Sequence, residues 1–183
     1  MAFINKIIKN PVTQQEIKFL QTARDTNGQL LEMEARYLAH SKEPAAHYHP
    51  FQEEEFTVLS GQLSIRFNEE VIILKPGDTL QVPKNKVHSM WNDSDGETVM
   101  NWKVRPALQT EYFLETVVGL AADGKTNKAG MPGLLQVALM ANQFSREFRL
   151  IKPPLLIQKI IFAILSPIAS LAGFKPTYKK YID

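Results

Sequence analysis

The sequence predicts a mainly β domain followed by a shorter α-helical part. Two observations carry that prediction. Up to about residue 106 the chain is a succession of short period-2 runs separated by turn residues, and beyond Pro106 the apolar residues fall at helical spacing. Strands this short and this numerous suit a sandwich or barrel rather than βαβ units.

Taken in order, Glu16 to Leu20 is a first strand, closed by the turn residues Asp25-Thr26-Asn27-Gly28. Leu31, Met33, Ala35 and Tyr37 alternate with Glu32, Glu34 and Arg36, giving one dry face and one wet face. Ser41-Lys42-Glu43-Pro44 breaks that strand, and the segment from His47 to Gly61 follows. Leu63, Ile65 and Phe67 alternate with Gln62, Ser64 and Arg66. Asn68-Glu69 forms a hairpin tip leading into Val71-Ile72-Ile73-Leu74. Lys75-Pro76-Gly77-Asp78 is a turn, Leu80 to Val82 a short strand, Val87 to Trp91 another, and Thr98 to Arg105 the last of the series.

Phe113, Val117 and Leu120 then define a helix, with Gly124 just beyond its end. Pro132 stands where a second helix would begin, ahead of an amphipathic run to about Phe148. Pro153-Pro154 opens a third helix reaching roughly Gly173. The expected organisation is a β domain over 1–106, with its core at about 12–106, and a helical extension over 107–183.

The 183 residues suffice for one domain with an appendage. The net charge of +2 points to no nucleic-acid partner, and without cysteine the chain has neither disulfides nor a thiolate nucleophile. The first eleven residues lack the long apolar core of a secretory signal, so a cytoplasmic protein is expected. The apolar stretch from Leu155 to Phe174 has nearly the length of a membrane span, but Gln158, Lys159, Ser166, Pro167 and Ser170 interrupt it. Lys159, Ser166 and Ser170 fall near one stripe, as in an amphipathic helix packing on the barrel or across a homodimer interface, with peripheral membrane contact as the alternative.

Chemistry concentrates in His47-Tyr48-His49-Pro50-Phe51-Gln52-Glu53-Glu54-Glu55. Two histidines one residue apart share a face of an extended segment. Paired imidazoles with a carboxylate nearby are a donor set for Zn, Mn, Fe or Ni, and His88 offers a third imidazole from another strand. His40 is an ordinary surface histidine. Strict alternation from His49 would choose Glu53 or Glu55, but Pro50 bends the strand and resets its phase.

These residues resemble the two motifs of the cupin superfamily. His47, His49, Glu54 and Gly61 have the spacing of the first motif, and Gly77, Pro83, His88 and Asn92 that of the second. The distance back from Gly61 selects Glu54 among the three glutamates. Two positions depart from the pattern: Ser41 replaces an opening glycine, and Asn85 replaces a glycine two residues after Pro83, where asparagine tolerates a left-handed backbone. The helical remainder resembles the tail of small bacterial cupins.

The resemblance implies an RmlC-like jelly-roll β-barrel (a double-stranded β-helix) holding one divalent metal ion, Fe, Mn, Zn or Ni, on His47, His49, Glu54 and His88. Such a centre leaves positions for water or substrate. Gln52, Asn92 and Asn101 are candidate partners for the ligating rings. Phe56, Met90 and Trp102 are candidates for a substrate cavity, with core packing as their ordinary role. Arg36, Arg66 and Lys103 could hold an anion, and by default are solvated strand faces.

The implied activity is that of a dioxygenase-like enzyme on a small organic molecule. The alternatives are a non-catalytic ligand-binding or sensor protein and a metal-dependent isomerase or hydrolase. No catalytic acid or base stands out beyond the ligands.

Overall fold

The computed structural model describes residues 1–67 and 69–182. Ten strands precede the helices: β1 Ile7–Lys9, β2 Glu16–Gln21, β3 Leu31–Tyr37, β4 His47–Tyr48, β5 Glu53–Ser60, β6 Leu63–Phe67, β7 Glu70–Leu74, β8 Thr79–Val82, β9 His88–Trp91 and β10 Thr98–Arg105. Helices α1 (Thr110–Ala122) and α2 (Leu134–Gln143) follow, then a short strand β11 (Arg149–Leu150), then α3 (Leu155–Leu171) and α4 (Lys179–Ile182). Asn68, half of the expected hairpin tip, lies outside the described residues.

All strand pairs are antiparallel and form two sheets, ordered β1-β2-β3-β10-β5-β8 and β11-β4-β9-β6-β7. The period-2 pattern does what it should. On β3, Leu31, Met33, Ala35 and Tyr37 are buried while Glu32, Glu34 and Arg36 are partly exposed. Thr98, Met100, Trp102 and Val104 on β10 and Glu54, Phe56 and Val58 on β5 turn inward in the same way. The inward residues of both sheets merge into one apolar core around Phe19, Met33, Phe56, Leu63, Ile65 and Met100.

Two turns fix the motif strands. Gly61 ends β5 with φ +76°, and a Cβ there would stand 2.2 Å from the Glu97 carbonyl oxygen, so only glycine fits. Asn85 adopts φ +63°, the left-handed conformation anticipated for it, and its amide donates to the His49 carbonyl at 2.9 Å. Ser41 has a role a glycine could not play, because its hydroxyl accepts the Asn92 amide at 2.8 Å.

The helical part differs from its sequence reading in three places. Helix α1 ends as foreseen: Gly124 has φ +68°, its amide donates to Ala121 O and the Lys125 amide to Leu120 O, a Schellman pattern. Pro132, however, bridges to Thr126, and α2 starts at Leu134 behind Gly133. The run expected to continue to Phe148 stops at Gln143, because the chain turns at 144–148 and enters β11, which pairs with β4. Main-chain pairing with the barrel outweighs the amphipathic pattern there.

The third difference concerns α3. It packs against α2, with Ser166 accepting from Asn142 at 2.7 Å, and its buried residues are Gln158, Phe162 and Ala169. Its polar stripe therefore borders the buried face, and most of its Leu and Ile side chains point outward. Among the described residues no helix is long and apolar enough to cross a membrane.

Replacing Gly61 by alanine should cost at least about 2 kcal/mol, since strain at positive φ and the clash with Glu97 add. Chemical denaturation measures it, and a change below about 0.5 kcal/mol would contradict the turn geometry.

Candidate metal centre

His47 and His88 are directly opposite one another in the β4–β9 pair, and His49 follows immediately after β4. Glu54 comes from the other sheet, near the start of β5, so the four side chains meet across the barrel interior. Glu54 is 2% exposed, whereas Glu53 is exposed and Glu55 pairs with Lys103 at 3.0 Å. The three rings form a triangle with centroid separations of 4.6, 5.1 and 5.3 Å. Each offers one ring nitrogen, and these atoms all lie within 4.8 Å of one another.

Each imidazole has its Nδ1 beside a main-chain carbonyl: Ala45 for His47 at 3.1 Å, Lys86 for His88 at 3.1 Å and Glu147 for His49 at 2.5 Å. A carbonyl can only accept, so Nδ1 carries the proton and Nε2 presents its lone pair. His49 Nε2 and His88 Nε2 lie 3.0 and 2.8 Å from Glu54 Oε2. Close as they are, these contacts lack hydrogen-bond direction, and all three atoms are buried without a partner. Lone pairs thus face lone pairs around a small volume. That donor set is one a cation would satisfy, and a metal ion fits it.

With a proton as that cation, the charges divide unevenly. Burial works against a charged His49, but the adjacent Glu54 carboxylate prevails and its pKa lies above the ordinary value. Burial alone would raise Glu54; His49 and then His88 reverse this and hold its carboxyl well below the usual range. Burial, then repulsion from His88 and His49, push His47 down to about 3, so its imidazole stays neutral. Burial, and after it the Glu54 charge, keep the Tyr37 phenol protonated.

The expected partners of the rings are elsewhere. Gln52 donates to Pro106 O, Ala107 O and Thr110, tying β5 to the start of α1. Asn92 donates to Tyr37 O, Leu38 O and Gly96 O, and Asn101 to Glu32. Both Gln52 and Asn92 are structural braces. The orienting acceptors are carbonyls, which no residue identity announces.

Of the three cavity candidates, Phe56 lies wholly in the core, its ring 6.1 Å from both His88 and Trp102. Met90 is buried on β9, one alternation beyond His88. Trp102 has a specific polar role: its Nε1 donates to Glu54 Oε1 at 2.9 Å, holding the carboxylate from behind. Arg36, Arg66 and Lys103 enter ion pairs with Glu97, Glu43 and Glu55, and His40 pairs with Asp95 at the surface.

Two contributors come from the extension and escaped the sequence reading. Phe148 stacks on His47 at 4.6 Å between centroids and on Phe113 at 5.0 Å, and Glu147 supplies the carbonyl for His49. A cleft of about 470 Å³ lies beside the site, lined by Ala46, Arg66, Glu69, Val87, His88 and Ile151.

The comparisons agree with this architecture. Residues 33–103 match the family model described as Cupin domain. Over 67 residues the chain is 46% identical to quercetin 2,3-dioxygenase of Bacillus subtilis (strain 168), a stretch that is 37% of this chain and 20% of that protein. The chain thus spans about a fifth of the length of that curated relative. Its fold is similar to that of KdgF from a Halomonas species (TM-score 0.51, 12% identity, 61% of this chain and 99% of that one). A predicted oxalate decarboxylase from Thermotoga maritima is comparable (TM-score 0.50, 16% identity, 57% and 94%). Residues 33–103, set within two facing antiparallel sheets, thus form a cupin domain.

Trp102→Phe keeps the aromatic bulk but strands a buried carboxylate oxygen. Metal-free protein should lose about 1–3 kcal/mol in urea denaturation. An unchanged midpoint would mean that Trp102 packs without bracing Glu54.

Proposed function

We propose that this chain is a metal-dependent cupin oxygenase, binding one divalent metal ion through His47, His49, Glu54 and His88 and acting on a small organic molecule. The observation that carries it is the set of unpartnered, inward-facing Nε2 lone pairs around a buried carboxylate oxygen. The partial relative named quercetin 2,3-dioxygenase supports the oxidative assignment. A bound iron ion would supply the redox chemistry and a coordination site for substrate or dioxygen.

The chain's own residues do the rest. The Ala45, Lys86 and Glu147 carbonyls keep the three rings in the Nε2-ligating tautomer, so binding requires no ring flip. Trp102 fixes one carboxylate oxygen and leaves the other for the ion. Phe148 lies across His47 and limits the access of water. The cleft beside His88 is the route by which a small molecule would reach the centre, its wall mainly apolar at Ala46, Val87 and Ile151 with Arg66 and Glu69 at hand.

The test is the metal content of protein purified without chelator, for wild type and for His47→Ala/His49→Ala, followed by oxygen uptake with quercetin and related polyhydroxylated aromatics. Near-stoichiometric iron in wild type, lost in the variant, together with substrate-dependent uptake, is expected. Zinc or nickel without uptake would move the assignment to non-redox chemistry or ligand binding. No metal after reconstitution with Fe, Mn, Zn and Ni would refute the centre. Phe148→Ala should release bound metal to a chelator faster than wild type does while leaving its stoichiometry unchanged.

A further inference from the structure

Helix α3 is amphipathic the wrong way round for a helix supported by its own chain. Its inward face carries Gln158, which is 5% exposed and donates to Leu150 O and Pro153 O, along with Ser166, Phe162 and Ala169. Its outward face carries Leu156, Ile160, Ile164 and Leu171 on one stripe, flanked by Ile157 and Ile168. Leu171 is 90% exposed, Leu156 71% and Ile164 60%. A continuous apolar stripe of this kind marks a surface that meets something else.

Charge indicates what it meets. From residue 149 to 182 the basic residues are Arg149, Lys152, Lys159, Lys175, Lys179 and Lys180, and the stretch contains no Asp or Glu. Lys180 is engaged with Asp123. Among the described residues Lys152, Lys159, Lys175 and Lys179 enter no ion pair. These lysines stand before α3, within its first turn and a half, and after its end. An apolar helical stripe bracketed by cations is the pattern of a helix lying in the interface of an anionic bilayer. At 17 residues α3 is about 26 Å long, short of a span but suited to lying flat. A second copy fits less well. Two-fold pairing along the stripe would set the lysines before one α3 against those after the other, with no carboxylate from the helix to relieve them.

We propose that the outward face of α3 docks this protein peripherally on membranes containing anionic lipid, the Leu/Ile stripe entering the acyl boundary and the flanking lysines contacting the headgroups. This is independent of which metal the barrel holds.

The test is co-flotation of the full-length protein with vesicles of phosphatidylcholine containing phosphatidylglycerol, and with pure phosphatidylcholine, at low and high salt. It is accompanied by light scattering without lipid. Wild type should float with the anionic vesicles, weakly or not at all with neutral ones, and less at high salt. Ile160→Glu/Ile164→Glu should abolish flotation with unchanged circular dichroism and metal content, since both positions are exposed. Lys152→Glu/Lys175→Glu/Lys179→Glu should weaken it while leaving the apolar stripe intact. Absence of flotation with anionic vesicles at low salt would overturn the proposal, as would flotation unaffected by the Ile160/Ile164 substitutions. A dimer that the Ile160/Ile164 substitutions dissociate, with no vesicle binding, would assign the stripe to a second copy instead.

Discussion

The structure depends on one contact: a buried carboxylate oxygen facing two imidazole lone pairs at 2.8 and 3.0 Å. Left to themselves, three buried acceptors would repel, and burying the Glu54 charge unpaired would be costly. A cation at their centre removes both penalties. The elevated pKa of His49 and the depressed pKa of Glu54 express the same demand met by a proton. A divalent ion would meet it more fully, because it can be shared by all the ligands at once while a proton serves one pair.

This demand accounts for the layout of the barrel. Glu54 must reach the interior although His49 precedes it by an odd number of residues. The break between β4 and β5 around Pro50 makes that phase change. Gly61 and Asn85 hold the two ends of the motif strands in conformations with φ near +70°. Asn85 also ties its turn to the His49 carbonyl, and Ser41 ties its own segment to Asn92. The turns serve to keep the rings within a few ångströms of one another, and the apolar core around Phe56 and Met100 supplies the rigidity.

Much of this was legible in the sequence. Alternation located β3 and β6, since each turns one face to the core. The two histidine-bearing motifs stood out because ligand chemistry uses side chains. The orienting groups did not, because a carbonyl belongs to every residue, and so Gln52 and Asn92 drew attention that belonged to Ala45, Lys86 and Glu147. Strand β11 was equally hidden. Two residues carry no periodicity, and only its partner β4 makes Arg149-Leu150 a strand. The inverted face of α3 could not be read either, because apolar spacing shows that a helix has two sides without saying which one the rest of the chain covers.

Those hidden elements change how the helical extension should be understood. All four candidate ligands lie in the first hundred residues, so the barrel by itself carries them. Yet the acceptor that fixes the His49 tautomer is the Glu147 carbonyl, and the ring over His47 is Phe148. Immediately after them Leu150 pairs with His47, and Gln158 of α3 grips the Leu150 and Pro153 carbonyls. Four consecutive residues of the extension thus orient one ligand, cover a second and anchor a helix whose apolar face is turned to the outside. A chain shortened before residue 147 would keep its candidate ligands but lose the carbonyl that fixes the His49 tautomer and the ring stacked on His47. The extension is therefore part of the candidate centre's construction, and any force on α3 is applied within eight residues of Leu150, which pairs with His47.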